Sequence, residues 1–197
     1  MVLDIPFYTS TNKDNCGPLV LKMVLSYFGE EYSLNELSEL EKQLDSGLVW
    51  SIGIARAAKK LGFNVRFITI SDSTNENEGI EYYTKYSNDR GKVILKELKD
   101  EVRMMNIKLE QKNISINELL SYISKDSIPI VLINYNTLLK KEKFVGHFVP
   151  LLGHDNNSIY IHFTNVKPYM KIEKKIFLEA WESKGTDKDT VIIYRKK

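Results

Sequence analysis

Cys16 stands in the run DNCGPLVLKMVLSYFG, and it is the only cysteine of the chain. Leu21, Val24, Leu25 and Phe28 recur at helical spacing behind it, and Gly29 supplies a C-terminal stop, so the run predicts a helix over 15–29. Asn15 or Asp14 is placed to cap that helix. A thiol in the first turn of a helix faces unpaired backbone N–H groups and the positive end of the helix dipole, and both favour the nucleophilic thiolate. The N–H of Cys16 would also point at an oxyanion formed on a carbonyl under attack. Gly17 keeps the approach open, and Pro18 needs no N–H partner in a first turn. The ordinary fate of a lone cysteine is that of a small buried hydrophobe, so this chemistry depends on a base being brought to it.

His147 is the candidate base. It opens GHFVPLLGHD, a run that reads as a strand, and a histidine at a strand end can reach a helix terminus. Asn165 follows 18 residues later, at the end of IYIHFTN, where its amide could accept the imidazole N–H and fix the tautomer. Taken singly, each is more often a satisfied imidazole or a plain turn residue. His154 falls in a turn, and His162 sits on the next strand facing the other way. The spacings of seven and eight residues between these histidines match no compact zinc pattern, so neither a metal nor a cofactor is expected.

The elements that must position these groups are legible as an order of helices first and sheet later, an α+β fold class. Ser33 with Glu36, and Ser115 with Glu118, have capping-box spacing and open two helices. A helix over 51–61 ends at Gly62 and returns into a strand over 64–70. Residues 71–92 are polar and are expected as a loop or mobile insertion, with room for a short helix around the tyrosines. Leu95, Leu98, Val102, Met105 and Leu109 form one stripe of an amphipathic helix over 93–109. Strands are expected over 128–135, 146–152, 158–163 and 190–194, with a short one near Met170 and a helix over 174–183. Pro150 inside the His147 strand implies an edge or a bulge.

The bulk composition adds exclusions. Twenty-eight basic against 26 acidic residues leave +2, with Lys and Arg scattered, so no nucleic-acid partner is expected. A single cysteine cannot close an intramolecular disulfide, and the N-terminus MVLDIPFYTS lacks a signal peptide's charged and apolar regions. No apolar run approaches the roughly 18 residues of a membrane span. The expectation is a cytoplasmic protein with no membrane partner, and the 197 residues suit one domain.

Several segments together resemble the C39-like peptidases of the papain-like clan, and the related guanylyl-cyclase-domain proteins. These are IPFY before the cysteine, DNCGP, MVLSYFG, AAKKLGFNVRF, SINELLSYISKDSIPIVLINY, GHFVPLLGHD and FLEAW. They cover most of the chain except about 71–110, which the resemblance implies is a variable insertion in a single domain over 1–197. It further implies a papain-like fold, N-terminal helices packed on a C-terminal antiparallel sheet. The implied activity is that of a cysteine peptidase or amide hydrolase on a peptide or protein substrate, with Cys16, His147 and Asn165 as catalytic residues. Such families usually carry a glutamine where this chain has Ser10, six residues before Cys16, to donate the second oxyanion hydrogen bond. Asn12 is the expected substitute, with Ser10 as the lesser candidate beside the Cys16 amide. That missing glutamine leaves two alternatives open: a weak or inactive peptide-binding module, and an acyltransferase or transglutaminase-type enzyme sharing the nucleophile.

Overall fold

The computed structural model describes residues 1–11, 15–71 and 80–196. Helix α1 (Cys16–Tyr27) buries Leu21, Val24 and Leu25 completely, as its spacing requires, and closes with Gly29 at φ +88°. The N–H groups of Gly29 and Glu30 return to the carbonyls of Ser26 and Leu25, satisfying two of the orphan acceptors at the helix end. Helix α2 (Leu34–Glu41) carries the predicted capping box: Ser33 accepts the Glu36 N–H while Glu36 accepts the Ser33 N–H. Helix α3 (Ser51–Lys60) then turns into strand β1 (Asn64–Thr69).

The segment between β1 and the later strands differs from expectation. Residues 72–79 lie outside the described residues, and 81–92 are not loop but the first half of helix α4 (Glu81–Met104). Poor helix formers in SNDRG hide this half, and Asn88 leaves helical geometry at φ 44°, ψ −170°. What holds it is tertiary: the Tyr83 ring stacks on Trp50 at 5.6 Å with planes 5° apart, and Tyr82 meets Phe144 edge-on. Leu95, Leu98 and Val102 form the buried stripe as predicted. The helix stops short of Leu109, which belongs instead to strand β2 (Lys108–Gln111) and is partly exposed, because Asn106 turns the chain with φ 53°.

Helix α5 (Ile116–Ser121), capped by Ser115, leads to strand β3 (Ser127–Asn134). After the short helix α6 (Tyr135–Leu138) come β4 (Gly146–His154), β5 (Ser158–Phe163), β6 (Lys167–Glu173), helix α7 (Lys174–Trp181) and β7 (Thr190–Tyr194). The strands form one sheet in the order β2-β1-β7-β3-β4-β5-β6. Its pairs are antiparallel except β1 with β2, so the sheet is mixed and takes its far edge from the N-terminal half. Strand alternation builds two cores. Ile128, Ile130 and Leu132 of β3 join the core beneath α1, α3 and α4, while Val131 and Ile133 join the one beneath α5 and α7. That is why β3 reads as an unbroken apolar run. Pro150 lies opposite Ile130 within an interior strand, so the edge expectation fails; a register shift does follow at Leu151/Gly153. Among the described residues no helix is long and apolar enough to cross a membrane.

Candidate active site

Cys16 is the first residue of α1. Asn15 occupies the cap position but makes no side-chain cap bond; its Oδ1 instead takes the Gln43 Nε2 at 3.5 Å. Asp14, the other capping candidate, lies outside the described residues. Three elements close around the nucleophile's turn. Glu41, at the end of α2, is fully buried with neither carboxylate oxygen hydrogen-bonded. A Cβ on Gly17 would stand 2.9 Å from Glu41 Oε2, and one on Gly53 of α3 only 2.3 Å from the Glu41 carbonyl oxygen. Glycine at both positions lets α1 and α3 approach α2 this closely.

These surroundings work against a thiol held low by the helix dipole. Burial pushes the Cys16 thiol up to about 11; a hydrogen bond from the Phe148 backbone opposes the rise, and the Glu41 carboxylate adds to it.

His147 pairs with Ile133 across β3 and β4, and its ring meets Tyr135 and Phe163 edge-on, with centroids 5.4 Å and 5.1 Å away. Its Nε2 lies 2.6 Å from Thr164 Oγ1. The same hydroxyl donates to the Phe148 carbonyl at 3.2 Å. A hydroxyl has one proton, so with that proton on Phe148 the Thr164 oxygen accepts from Nε2–H. The lone pair of the neutral ring is then on Nδ1. Burial lowers the His147 imidazole to about 4, offset in part by a Thr164 backbone hydrogen bond.

Asn165 therefore does not take the place expected for it at Nε2. It adopts φ 61°, and its Oδ1 accepts the Ser10 N–H at 2.7 Å, tying the segment before the nucleophile to the end of β5. Ser10 is thus positioned by its backbone. Asn12, the expected oxyanion donor, lies outside the described residues. His154 is exposed at the end of β4. His162 is fully buried, its Nε2 2.7 Å from the Ile5 carbonyl and its Nδ1 accepting from Tyr169 N–H, a structural role as its strand position suggested. Among the described residues no group of three His, Cys, Asp or Glu side chains is arranged to hold a metal ion.

Cys16 and His147 line one cavity of about 420 Å³. Trp50, Tyr82, Tyr83 and Tyr86 form an aromatic wall, and the cavity runs on to Thr69, Asp187 and Asp189. Sequence reasoning missed Thr164, Glu41 and these tyrosines. Thr164 is adjacent to the residue singled out, a slip of one position that no propensity resolves. The tyrosines at 82, 83 and 86 have helical spacing, the one signal that marked them.

Comparison with known structures defines the fold as that of the papain-like C39 peptidases. The peptidase domain of Streptococcus ComA, a bi-functional ABC transporter involved in quorum sensing, superposes with a TM-score of 0.58 at 20% identity, covering 95% of this chain and 96% of that one. A protein described as a C39-like peptidase from Bacillus anthracis gives 0.58 at 16%, covering 100% and 98%. A double glycine motif protease from an AMS/PCAT transporter, solved with a leader peptide, gives 0.55 at 15%, covering 100% and 94%. The family model described as guanylylate cyclase matches residues 5–193, and the chain belongs to that family.

Proposed function

We propose that the protein is a cysteine-type amide hydrolase acting on peptides, with Cys16 as nucleophile and His147 as general base. The observation that carries this reading is that Cys16 and His147 line one cavity, with the His147 Nε2 2.6 Å from a Thr164 hydroxyl that itself donates to the Phe148 carbonyl, which leaves the Nδ1 lone pair to take the thiol proton. Sulfur attacks the substrate carbonyl carbon as the thiol proton passes to Nδ1. The C–N bond then breaks, the imidazolium proton goes to the leaving amine, and a thioester remains on Cys16. Water, giving its proton to the same nitrogen, hydrolyses the thioester and restores the thiol. Because the thiol is held up and the imidazole down, the resting pair is neutral, and the proton moves during attack rather than before it. Thr164 orients the ring in the position where the sequence suggested Asn165, and Asn165 positions the Ser10 segment.

The neutral resting pair favours one second reading, a slow or inactive peptide-binding module of the same fold. Incubating the protein with a peptide library, and reading products by mass spectrometry, separates the two. Cleavage that disappears in Cys16→Ala and His147→Ala supports the hydrolase; peptide binding without cleavage supports the module. Parallel arms with an added amine and with GTP and Mg²⁺ test acyl transfer and the cyclase activity that the family's description carries.

A further inference from the structure

The cavity does not end at the nucleophile. Asp189 precedes β7, and its carbonyl accepts the Leu132 N–H at 3.1 Å, while Leu132 pairs with Phe148, the neighbour of His147 on β4. Two strand spacings of about 4.8 Å put Asp189 roughly 10 Å across the sheet from β4, the strand of His147. Alternation puts it on the same face as Val191, Leu132 and Phe148, all in the core under α1. The register that pairs Ile68 with Thr190 brings Thr69 beside it. Ser51, at the start of α3, is buried and lines this end of the cavity together with Asp189.

We propose that Asp189, with Ser51 and Thr69, forms a specificity pocket for a cationic side chain, an amine or guanidinium, carried by the peptide residue next to the scissile bond. The inference rests on the hydrolase reading for the word scissile, but the pocket is a binding site in its own right. A carboxyl group recessed in a cavity beside the Ser51 and Thr69 hydroxyls is set to receive a cationic donor, and an aliphatic stem fits the wall of Phe67, Leu95 and Leu132. The charged side chains lining the cavity are Asp187, Asp189 and Glu110 against Lys99 and Arg103 of α4. Asp187 on the same segment repels the Asp189 charge more than Lys99 of α4 attracts it, and Tyr83, also on α4, spends its hydroxyl on the Gly185 carbonyl at 2.6 Å. Burial, only partly offset by Ser51 and Thr69, raises the Asp189 carboxyl to about 7, so an arriving cation restores the charge that burial disfavours.

The test uses the full chain carrying Cys16→Ser, titrated calorimetrically with N-acetyl-lysine amide, agmatine and the uncharged N-acetyl-norleucine amide. The cations are expected to bind at pH 8 roughly 10- to 100-fold more tightly than the neutral isostere, and to lose that margin in Asp189→Asn. In the unsubstituted Asp189 background the cation affinity falls as pH is lowered from 8 to 6, because a protonated carboxyl has no charge to offer. That second arm needs no folded variant. No cation binding at pH 8, an unchanged margin in Asp189→Asn, or a flat pH profile each overturns the pocket. Peptide cleavage without preference for basic residues leaves the hydrolase and removes the pocket. Asp189-dependent cation binding in a protein that cleaves no peptide keeps the pocket and removes the hydrolase.

Discussion

At the scale of single residues, the proton inventory of Cys16, His147 and Thr164 decides how the site behaves. A thiol pushed up to about 11 by burial does not sit as a thiolate at neutral pH. Alkylation of Cys16 by iodoacetamide is therefore expected to accelerate steadily through pH 8–10, and a plateau below pH 8 would contradict the neutral pair. His147, lowered to about 4, keeps its base form well below the ordinary histidine range, so the acid limb of kcat/KM on a cleaved peptide is expected near pH 4. Thr164→Val strands the Nε2–H in a buried site and should slow turnover by roughly 10- to 100-fold. Thr164→Asp should move the acid limb upward, because a carboxylate favours the imidazolium. Asn165→Ala, which removes the tie to Ser10, should leave that limb in place; if Asn165→Ala moves it and Thr164→Asp does not, the orienting role belongs to Asn165. That Cys16 and His147 share one cavity accords with a cysteine opening a helix and a histidine opening a strand. The thiol's environment was not legible in the sequence, because Glu41 and Phe148 reach it from α2 and β4, remote in the chain.

At the scale of elements, local signals that carry their own physics were read correctly. The capping box at Ser33 and the stop at Gly29 act within a few residues and need no tertiary partner. Residues 81–92 were misread for the opposite reason: their helix is stabilised by Trp50 and Phe144, which no window around Tyr83 contains. Strand β2 was likewise hidden, since its partner β1 lies across α4 in the chain. Helix α2 is wedged closely against both α1 and α3. Gly53→Ala forces a Cβ against the Glu41 carbonyl, backbone that cannot move aside cheaply. It is expected to destabilise the fold by about 1–3 kcal/mol in urea titration, as overpacking does. An unchanged midpoint would show that α2 and α3 have slack between them.

For the whole molecule, the order of segments carried more than any segment alone. Cys16 and His147 are 131 residues apart, and no spacing rule brings them to one cavity; the resemblance in motif order does, and the sheet order explains how β4 comes to lie under α1. The same packing leaves a signature in global stability. Glu41 is held well above its ordinary value of 4.5, so the folded state keeps a proton that the unfolded chain releases above about pH 4.5, and stability drains as pH rises. Glu41→Gln should match the parent near pH 4 and exceed it in thermal denaturation at pH 7; equal midpoints at both would mean the carboxyl is not buried in solution. The central claim, that amide chemistry runs through a thioester on Cys16, is tested most directly by intact-mass spectrometry. The protein is mixed with a pool of peptide p-nitrophenyl esters and quenched at intervals. An acyl adduct is predicted on Cys16 that forms and decays in the parent, forms more slowly in His147→Ala and is absent from Cys16→Ala. Ester or peptide turnover with no mass added at Cys16, or an adduct that persists in Cys16→Ala, would contradict it.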